Sequence, residues 1–463
     1  MSATVPQLLT TPSPAAVQRA ARDTRNARII GLLFGIYAGT IGVRISVGGG
    51  LAFPTAVFLI GLVATLLCFA PQRLRHLRIT WIDFAIVAYF LVRVLTEAIN
   101  ADRLDHSPAY PVAVNAAYYI TAYYCARLTV SNRDELRAFL GALALPSIAV
   151  SAIGVLQVLG VSAVTSFVVN FTQSDAVINR LTDGRLTRAS SLIGHWSALG
   201  GYLCCAAAIA AVCLVLDRAE GRRVSRTQLL VFAASMVGVL ATFTFAAILA
   251  ALAILIATMA VLGYKVRGLL ALTLLFVAAS VVFGDSLQSR FNLQDLPTTY
   301  LPPEFAWVPS TLAVRIYLWT TQTLPAISIE PWLGWGHSVF AGVGTWPVYP
   351  KTIVWPFPES EYIKTLITGG IAELSAQVLV FIGWLTVIRR GGGSIDVRAR
   401  SVLTVTFASL LIASSINAYF TNQGVPSIWW PLVGALAFAF TPGSALPASR
   451  RTSTVTRTTS SAR

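Results

Sequence analysis

Apolar runs long enough to cross a lipid bilayer recur about a dozen times along this chain, and that recurrence restricts the fold more than any single motif does. Hydrocarbon offers a backbone N–H or C=O no partner, so each run must satisfy its own hydrogen bonds as a helix. The segments are 29–43, 51–70, 81–98, 111–127, 138–160, 191–216, 228–243, 245–263, 268–284, 364–388, 401–418 and 426–441. The continuous stretch 228–264 is too long for one tilted helix, so it reads as two with a tight turn near Thr242 to Phe245. With 56% apolar and 11% charged residues, little polar surface remains for a soluble domain. The expected fold is all-α and polytopic, with about twelve transmembrane helices.

Arginines orient the spans. Arg19, Arg22, Arg25 and Arg28 precede the first, Arg73, Arg75 and Arg78 separate the second and third, and Arg127, Arg133 and Arg137 lie between the fourth and fifth. Arg218, Arg222, Arg223, Arg226, Lys265, Arg267, Arg389, Arg390, Arg398, Arg400, Arg450, Arg451, Arg457 and Arg463 continue the alternation. Positive residues favour the cytoplasmic side. The expected order is a cytoplasmic tail (1–28), helices one to nine (29–284), a large extracytoplasmic loop (285–363), helices ten to twelve (364–441) and a disordered cytoplasmic tail (442–463). Both termini would be cytoplasmic in a bacterial plasma membrane, with the working face outside. The arginine-rich, lysine-poor usage suggests a bacterial, GC-rich origin.

The net charge of +15 therefore reads as topology and contact with anionic membrane lipids. Nucleic acid is excluded as a partner because no basic patch stands apart from the membrane flanks. Residues 1–28 lack the apolar core of a cleavable signal. Cys68, Cys125, Cys204, Cys205 and Cys213 fall in or beside spans, which points to packing and not to a disulfide or a metal cluster. No Asp-x-Asp or histidine–carboxylate cluster suggests a metal, and no cofactor is expected.

The chemistry-bearing residues gather on the expected outer face. Arg180, Arg185 and Arg188 stand on the side where arginine is disfavoured, either touching headgroups or clamping a phosphate-bearing substrate, since one guanidinium holds two phosphate oxygens. His195 and Trp196 follow, as packing groups or substrate contacts. Arg93 and Glu97 stand four apart near the outer end of the third span, where they pair with each other or leave Arg93 to form a positive floor under the loop. Within the loop, Arg290 adds a further cation. Arg315 and Trp319 share one side of an expected short helix over 312–319, and Trp332, Trp335, Trp346 and Trp355 suit an interfacial belt or a sugar face. Gly334 and Gly336 allow a tight turn before His337, and Glu359, Glu361 and Tyr362 end the loop.

Three patterns in order resemble the bacterial O-antigen ligase and O-antigen polymerase superfamily. RASSLIGHWSALGGY, from Arg188 to Tyr202, looks like its arginine, small-residue and Gly-His signature. Arg315 to Trp319 with Pro331 to Gly336 looks like its Arg-x-x-x-Trp segment and Pro-x-x-Gly-x-Gly turn. Glu359 to Tyr362, leading to Gly370 and Ile371, resembles its His-Asn-x-Tyr and Gly-Ile pattern. The chain departs from the family at Glu359, where ligases typically carry histidine, and at Thr242 to Phe245, where many members carry an arginine.

The resemblance implies an integral-membrane glycosyltransferase that moves an oligosaccharide from a polyprenyl diphosphate donor to a glycan, lipid or protein acceptor. Arg188 and Arg315, with Arg93 and Arg290 as further candidates, would hold the diphosphate as the glycosyl–oxygen bond breaks. Glu359 would orient and deprotonate the acceptor hydroxyl, with Glu361 and His337 as competitors, and direct attack would invert the anomeric centre. His195, Trp319, Trp335 and Tyr362 are the expected glycan or acceptor contacts. A polytopic carrier or exporter, another class of lipid-linked glycosyltransferase and a scaffold are the competing readings.

Overall fold

The computed structural model describes residues 13–47, 50–101, 109–183, 188–263, 284, 288–289, 303–305, 307–337, 339, 359–390 and 396–440. The expected span 268–284, Arg185, Arg290, Trp346, Trp355 and both tail ends fall essentially outside those residues. The described chain is helical, with one isolated bridge between Ser46 and Ala52.

Helices α1 (Pro14–Gly39), α2 (Phe53–Cys68), α3 (Trp81–Ile99) and α4 (Ala109–Thr129) come first. Next are α5 (Arg133–Leu143), α6 (Ser147–Val158), α7 (Ser162–Thr172), α8 (Asp175–Thr182), α9 (Trp196–Ala219), α10 (Arg226–Ala241) and α11 (Phe245–Leu262). The chain closes with α12 (Ser310–Leu318), α13 (Leu324–Ile329), α14 (Glu361–Arg390), α15 (Val397–Ala413) and α16 (Val425–Leu436). Four helical stretches are long and apolar enough to span a bilayer, 133–158, 196–219, 245–262 and 361–389, and four shorter ones are apolar. This is an all-α, multi-pass membrane protein.

Local sequence explains most boundaries. Ser13 caps α1 and Pro14 opens it, so the helix begins well before the apolar run: alanine, glutamine and arginine favour helix without favouring lipid. A reciprocal Thr80–Asp83 capping box starts α3. The single expected span 138–160 is divided by Pro146, which has no N–H to continue α5. The segment 161–190, between two expected spans, contains α7 and α8, joined through Gln173 in a left-handed conformation.

Helix α9 is the axis of the bundle. It is buried along its length, and Ala206, Ala207, Ala208, Ala210 and Ala211 let α10, α11, α15 and α16 come close. Cys204, Cys205 and Cys213 are buried in the same helix, in packing positions. One end of the bundle is laced by ion pairs: Arg73 with Glu135 (2.9 Å), Arg127 with Asp83 (2.5 Å), Arg137 with Asp217 (2.6 Å) and Arg222 with Asp134 (2.8 Å). The arginines read above as topology markers are thus partly neutralised in place. The ends of α3, α10 and α14 that carry the candidate site lie at the opposite end of their helices.

Candidate functional site

At the start of α14 the chain makes an ion pair on which the site is centred. Arg315, on α12, donates through Nε to Glu359 Oε2. Their side chains are 25% and 36% exposed, so a charged ligand can reach both. Glu359 holds a left-handed backbone (φ 54), a conformation that non-glycine residues adopt at an energetic cost. The loop segment that carries Arg315 is helical over the expected range. Trp319 opens a wide π turn (Trp319–Thr323) just before Pro325, which lacks a backbone N–H.

Two residues beyond, Glu361 has a different environment. Its carboxylate is fully buried. One oxygen accepts from Gln377 Nε2 (2.6 Å), and the other accepts from Phe420 N (3.0 Å), Thr421 N (3.1 Å) and Thr421 Oγ1 (3.2 Å). Its own N–H donates to Ser414 O at 2.9 Å. The expectation that Glu361 competes as a base meets a carboxylate whose acceptor capacity is spent on Gln377 of α14 and on the turn between α15 and α16. Lys364 donates to Asn422 of that turn (2.8 Å), and Tyr362 donates its hydroxyl to Leu411 O (2.8 Å).

Helix α14 is broken at Gly370 (φ 64, ψ −163). The freed groups are taken up by the turn 331–336. Ile371 N donates to Pro331 O (2.8 Å) and Ala372 N to Trp332 O (3.1 Å), while Trp335 N donates to Ile367 O and Gly336 N to Thr368 O, both at 2.8 Å. A Cβ on Gly370 would lie 2.4 Å from Trp332 O, and one on Gly334 (φ 62) 2.7 Å from Ile367 O. Glycine is required at both positions by close approach and by φ. Trp335 is buried and donates Nε1 to Ala326 O (2.9 Å), which fastens α13 to the turn. That position makes it a packing residue in this state.

Beneath the turn lies a buried charged cluster. His337 Nε2 is 3.0 Å from Glu373 Oε2, and Arg93 Nε is 3.5 Å from Glu373 Oε1. The Arg93 contact is an ion pair by distance, and the His337 contact is one only with a protonated imidazole; neither Glu373 oxygen accepts a well-aligned hydrogen bond. Arg93 also donates to Tyr89 Oη (2.9 Å) and approaches His337 Nδ1 (3.4 Å), while His337 N donates to Glu97. Arg93 and Glu97 therefore both engage the turn, and the charge partner of Arg93 is Glu373, supplied by another helix. The only sign of Glu373 in the sequence is a lone carboxylate within an apolar run.

Arg188 and His195 build a second platform. Arg188 donates Nε to Thr242 O (2.9 Å) and Nη2 to Phe243 O (3.1 Å) and Thr244 Oγ1 (2.7 Å). Its guanidinium and that of Arg180 each stack on the Trp196 ring, at 4.7 Å and 4.5 Å from the centroid. His195 is the N-cap of α9, accepting from Ser197 N at 3.3 Å. Burial, reinforced by the Arg188 and Arg180 charges, pushes its imidazole down to about 4, so it stays neutral and serves as an acceptor.

Residues 229–376 match the O-antigen ligase family model. No curated protein matches the chain. The O-antigen ligase match is consistent with the superfamily that the sequence motifs suggest, although it spans less than half of the chain. It covers the Thr242–Thr244 break, Arg315, His337, Glu359, Glu361 and Glu373; Arg93, Arg188 and His195 lie outside it.

Proposed function

We propose that this chain is a membrane glycosyltransferase of O-antigen ligase or polymerase type, transferring an oligosaccharide from a polyprenyl diphosphate donor to an acceptor hydroxyl. The observation that carries the reading is the Arg315–Glu359 pair, an accessible cation and carboxylate within the O-antigen ligase-like segment.

Arg315 and Arg188 bind the donor diphosphate and offset the charge that develops as the glycosyl–oxygen bond breaks. A diphosphate competes with Glu359 for Arg315, so donor binding releases the carboxylate. Glu359 then orients the acceptor hydroxyl, accepts its proton late in the transition state, and the direct attack inverts the anomeric centre. The family-like arginine absent from Thr242 to Phe245 has a spatial substitute, because Arg188 brings its guanidinium to that same break. Glu361 acts as a clasp for the turn 414–424, and His337 with Arg93 as an anchor for the turn 331–337. His195 orients α9, Tyr362 ties α14 to α15, and Trp319 stays with Arg315 as the glycan-facing candidate. The positive-inside tendency assigns the ion-paired arginine end to the cytoplasm and this site to the outer face of a bacterial plasma membrane.

One observation favours a carrier or exporter, namely the helix broken at Gly370, since transporters use such breaks to bind ions and substrates. Here, though, the freed backbone groups are occupied by the turn 331–336. Transfer of radiolabelled glycan by purified protein separates the two readings. Glu359→Gln is expected to keep donor binding and to lower turnover by roughly two orders of magnitude or more. Absence of transfer by the wild type with a range of lipid-linked donors, or wild-type turnover in Glu359→Gln, refutes the assignment.

A further inference from the structure

The turn 189–191, which follows Arg188 directly, is cradled by one face of α6. Val150, Gly154 and Gln157 stand four and three apart on that helix and so share a side. Ser191 donates Oγ to Val150 O (2.7 Å), and a Cβ added to Gly154 would stand 3.1 Å from Ala189 Cβ. Gln157 completes the face. It is 1% exposed, its Oε1 accepts from Ser190 N (3.1 Å) and Ser191 N (3.2 Å), and its Nε2 donates to Ser190 Oγ (3.1 Å). In the sequence it is only an amide near the end of an apolar run, a group that is costly to bury in a spanning helix unless it is satisfied.

The amide holds a backbone that is strained without it. Ser190 is right-handed (φ −117, ψ −26) and Ser191 left-handed (φ 46), and that alternation turns two successive N–H groups toward one point. Gln157 Oε1 occupies the point. On the other side of the turn, Ala189 N donates to Ala241 O (3.0 Å), while Arg188 donates Nε to Thr242 O and Nη2 to Phe243 O. The segment 188–191 is thus clamped between α6 and the α10–α11 break. The carbonyls of the break fix where the Arg188 side chain ends, and Gln157 fixes where its backbone begins.

We propose that Gln157 is the positioning residue for Arg188: its amide fixes the turn 189–191 and thereby aims the guanidinium at the donor diphosphate. The inference rests on the diphosphate reading above and adds to it a residue on which the sequence motifs are silent. Gln157 itself touches no substrate and takes no part in bond making.

The test uses full-length protein in lipid nanodiscs with inorganic pyrophosphate as the probe, its affinity read by calorimetry. Gln157→Met keeps the side-chain volume and removes the acceptor, and is expected to bind at least about tenfold more weakly, since a small misplacement of a binding group is costly. Gln157→Met combined with Arg188→Lys should bind no more weakly than Arg188→Lys alone, whereas its loss should multiply with that of Arg315→Lys. Ser190→Ala removes only the side-chain arm of the contact and carries the same double-variant comparison should Gln157→Met fail to fold. Gln228→Met is the control for a general loss of stability. That amide is also buried and donates to Gly141 O (3.2 Å), at the end of α10 away from Thr242, so wild-type affinity is expected. Wild-type affinity in Gln157→Met while Arg188→Lys weakens binding overturns this inference alone. Equal weakening by Gln157→Met and Gln228→Met, or losses that multiply between Gln157→Met and Arg188→Lys, also overturns it. Wild-type protein that does not bind pyrophosphate, or wild-type affinity in Arg188→Lys, overturns the role of Arg188 in the diphosphate reading and this inference with it.

Discussion

Replacing Glu361 and Glu359 in parallel separates a structural carboxylate from a chemical one only two residues away. Glu361 is fully buried and accepts from Gln377 Nε2, Phe420 N, Thr421 N and Thr421 Oγ1. Glu361→Ala strands all four donors. Each lost bond to a charged acceptor is worth about 1.5–3 kcal/mol in isolation, but the four share one carboxylate and are not additive. The net loss is better judged as that of a broken buried charge network, roughly 3–5 kcal/mol. Glu361→Gln keeps one oxygen for the turn but sets an amide NH2 against Gln377 Nε2. Flipping the Gln377 amide relieves that conflict, with Thr365 Oγ1 keeping its bond to Glu361 O and accepting from the flipped Nε2, so the loss is that of a charged acceptor replaced by a neutral one, about 1–2 kcal/mol. Glu359 is half-exposed with Arg315 as its partner, so Glu359→Gln should cost less than about 1 kcal/mol. The expected pattern is a melting midpoint that falls strongly for Glu361→Ala, mildly for Glu361→Gln and little for Glu359→Gln, with turnover per folded molecule lowered by roughly two orders of magnitude or more only in the last. Melting of the purified proteins and glycan transfer per folded molecule are the two measurements. A Glu361→Gln protein with wild-type melting, bound donor and no turnover would refute the clasp and make Glu361 the base.

Gly370→Ala puts a Cβ 2.4 Å from Trp332 O in a left-handed position, so a loss of about 1–3 kcal/mol or more is expected, seen as a lower melting midpoint and easier proteolysis between α13 and α14; wild-type melting would mean the turn is not seated on the break. His195 has a folded-state pKa depressed to about 4 from the ordinary imidazole value of 6.5, so the unfolded chain binds its proton first and stability falls as pH drops between those values. His195→Asn keeps a capping acceptor but does not titrate, and should flatten the melting-versus-pH curve in that window; an unchanged curve argues against a buried neutral imidazole. In a cysteine-free background, cysteines at Thr299 and Ser394 should label from opposite sides of the membrane. Labelling from one side removes the proposed orientation.

Hydropathy by itself determined that this protein is a stack of helices, and roughly where they run, because a backbone in lipid must satisfy its own hydrogen bonds within each segment. The expected spans overlap the described helices at α1 to α6, α9 to α11 and α14 to α16, and local chemistry such as the Thr80–Asp83 box and Pro146 sets their ends. The family resemblance was likewise legible over the matched segment 229–376, since short-range patterns survive in the linear chain. Partner choice was not. Glu361 became a clasp only when the turn after α15 brought Phe420 and Thr421 to it, and Arg93 found Glu373 on a helix far along the chain in place of Glu97 one turn away. Arg188 reached the carbonyls at Thr242 and Phe243, and the Gly370 break was filled by Pro331 to Gly336. A buried polar group must be satisfied by whatever the packing of distant helices delivers, and helical periodicity carries no information about that delivery.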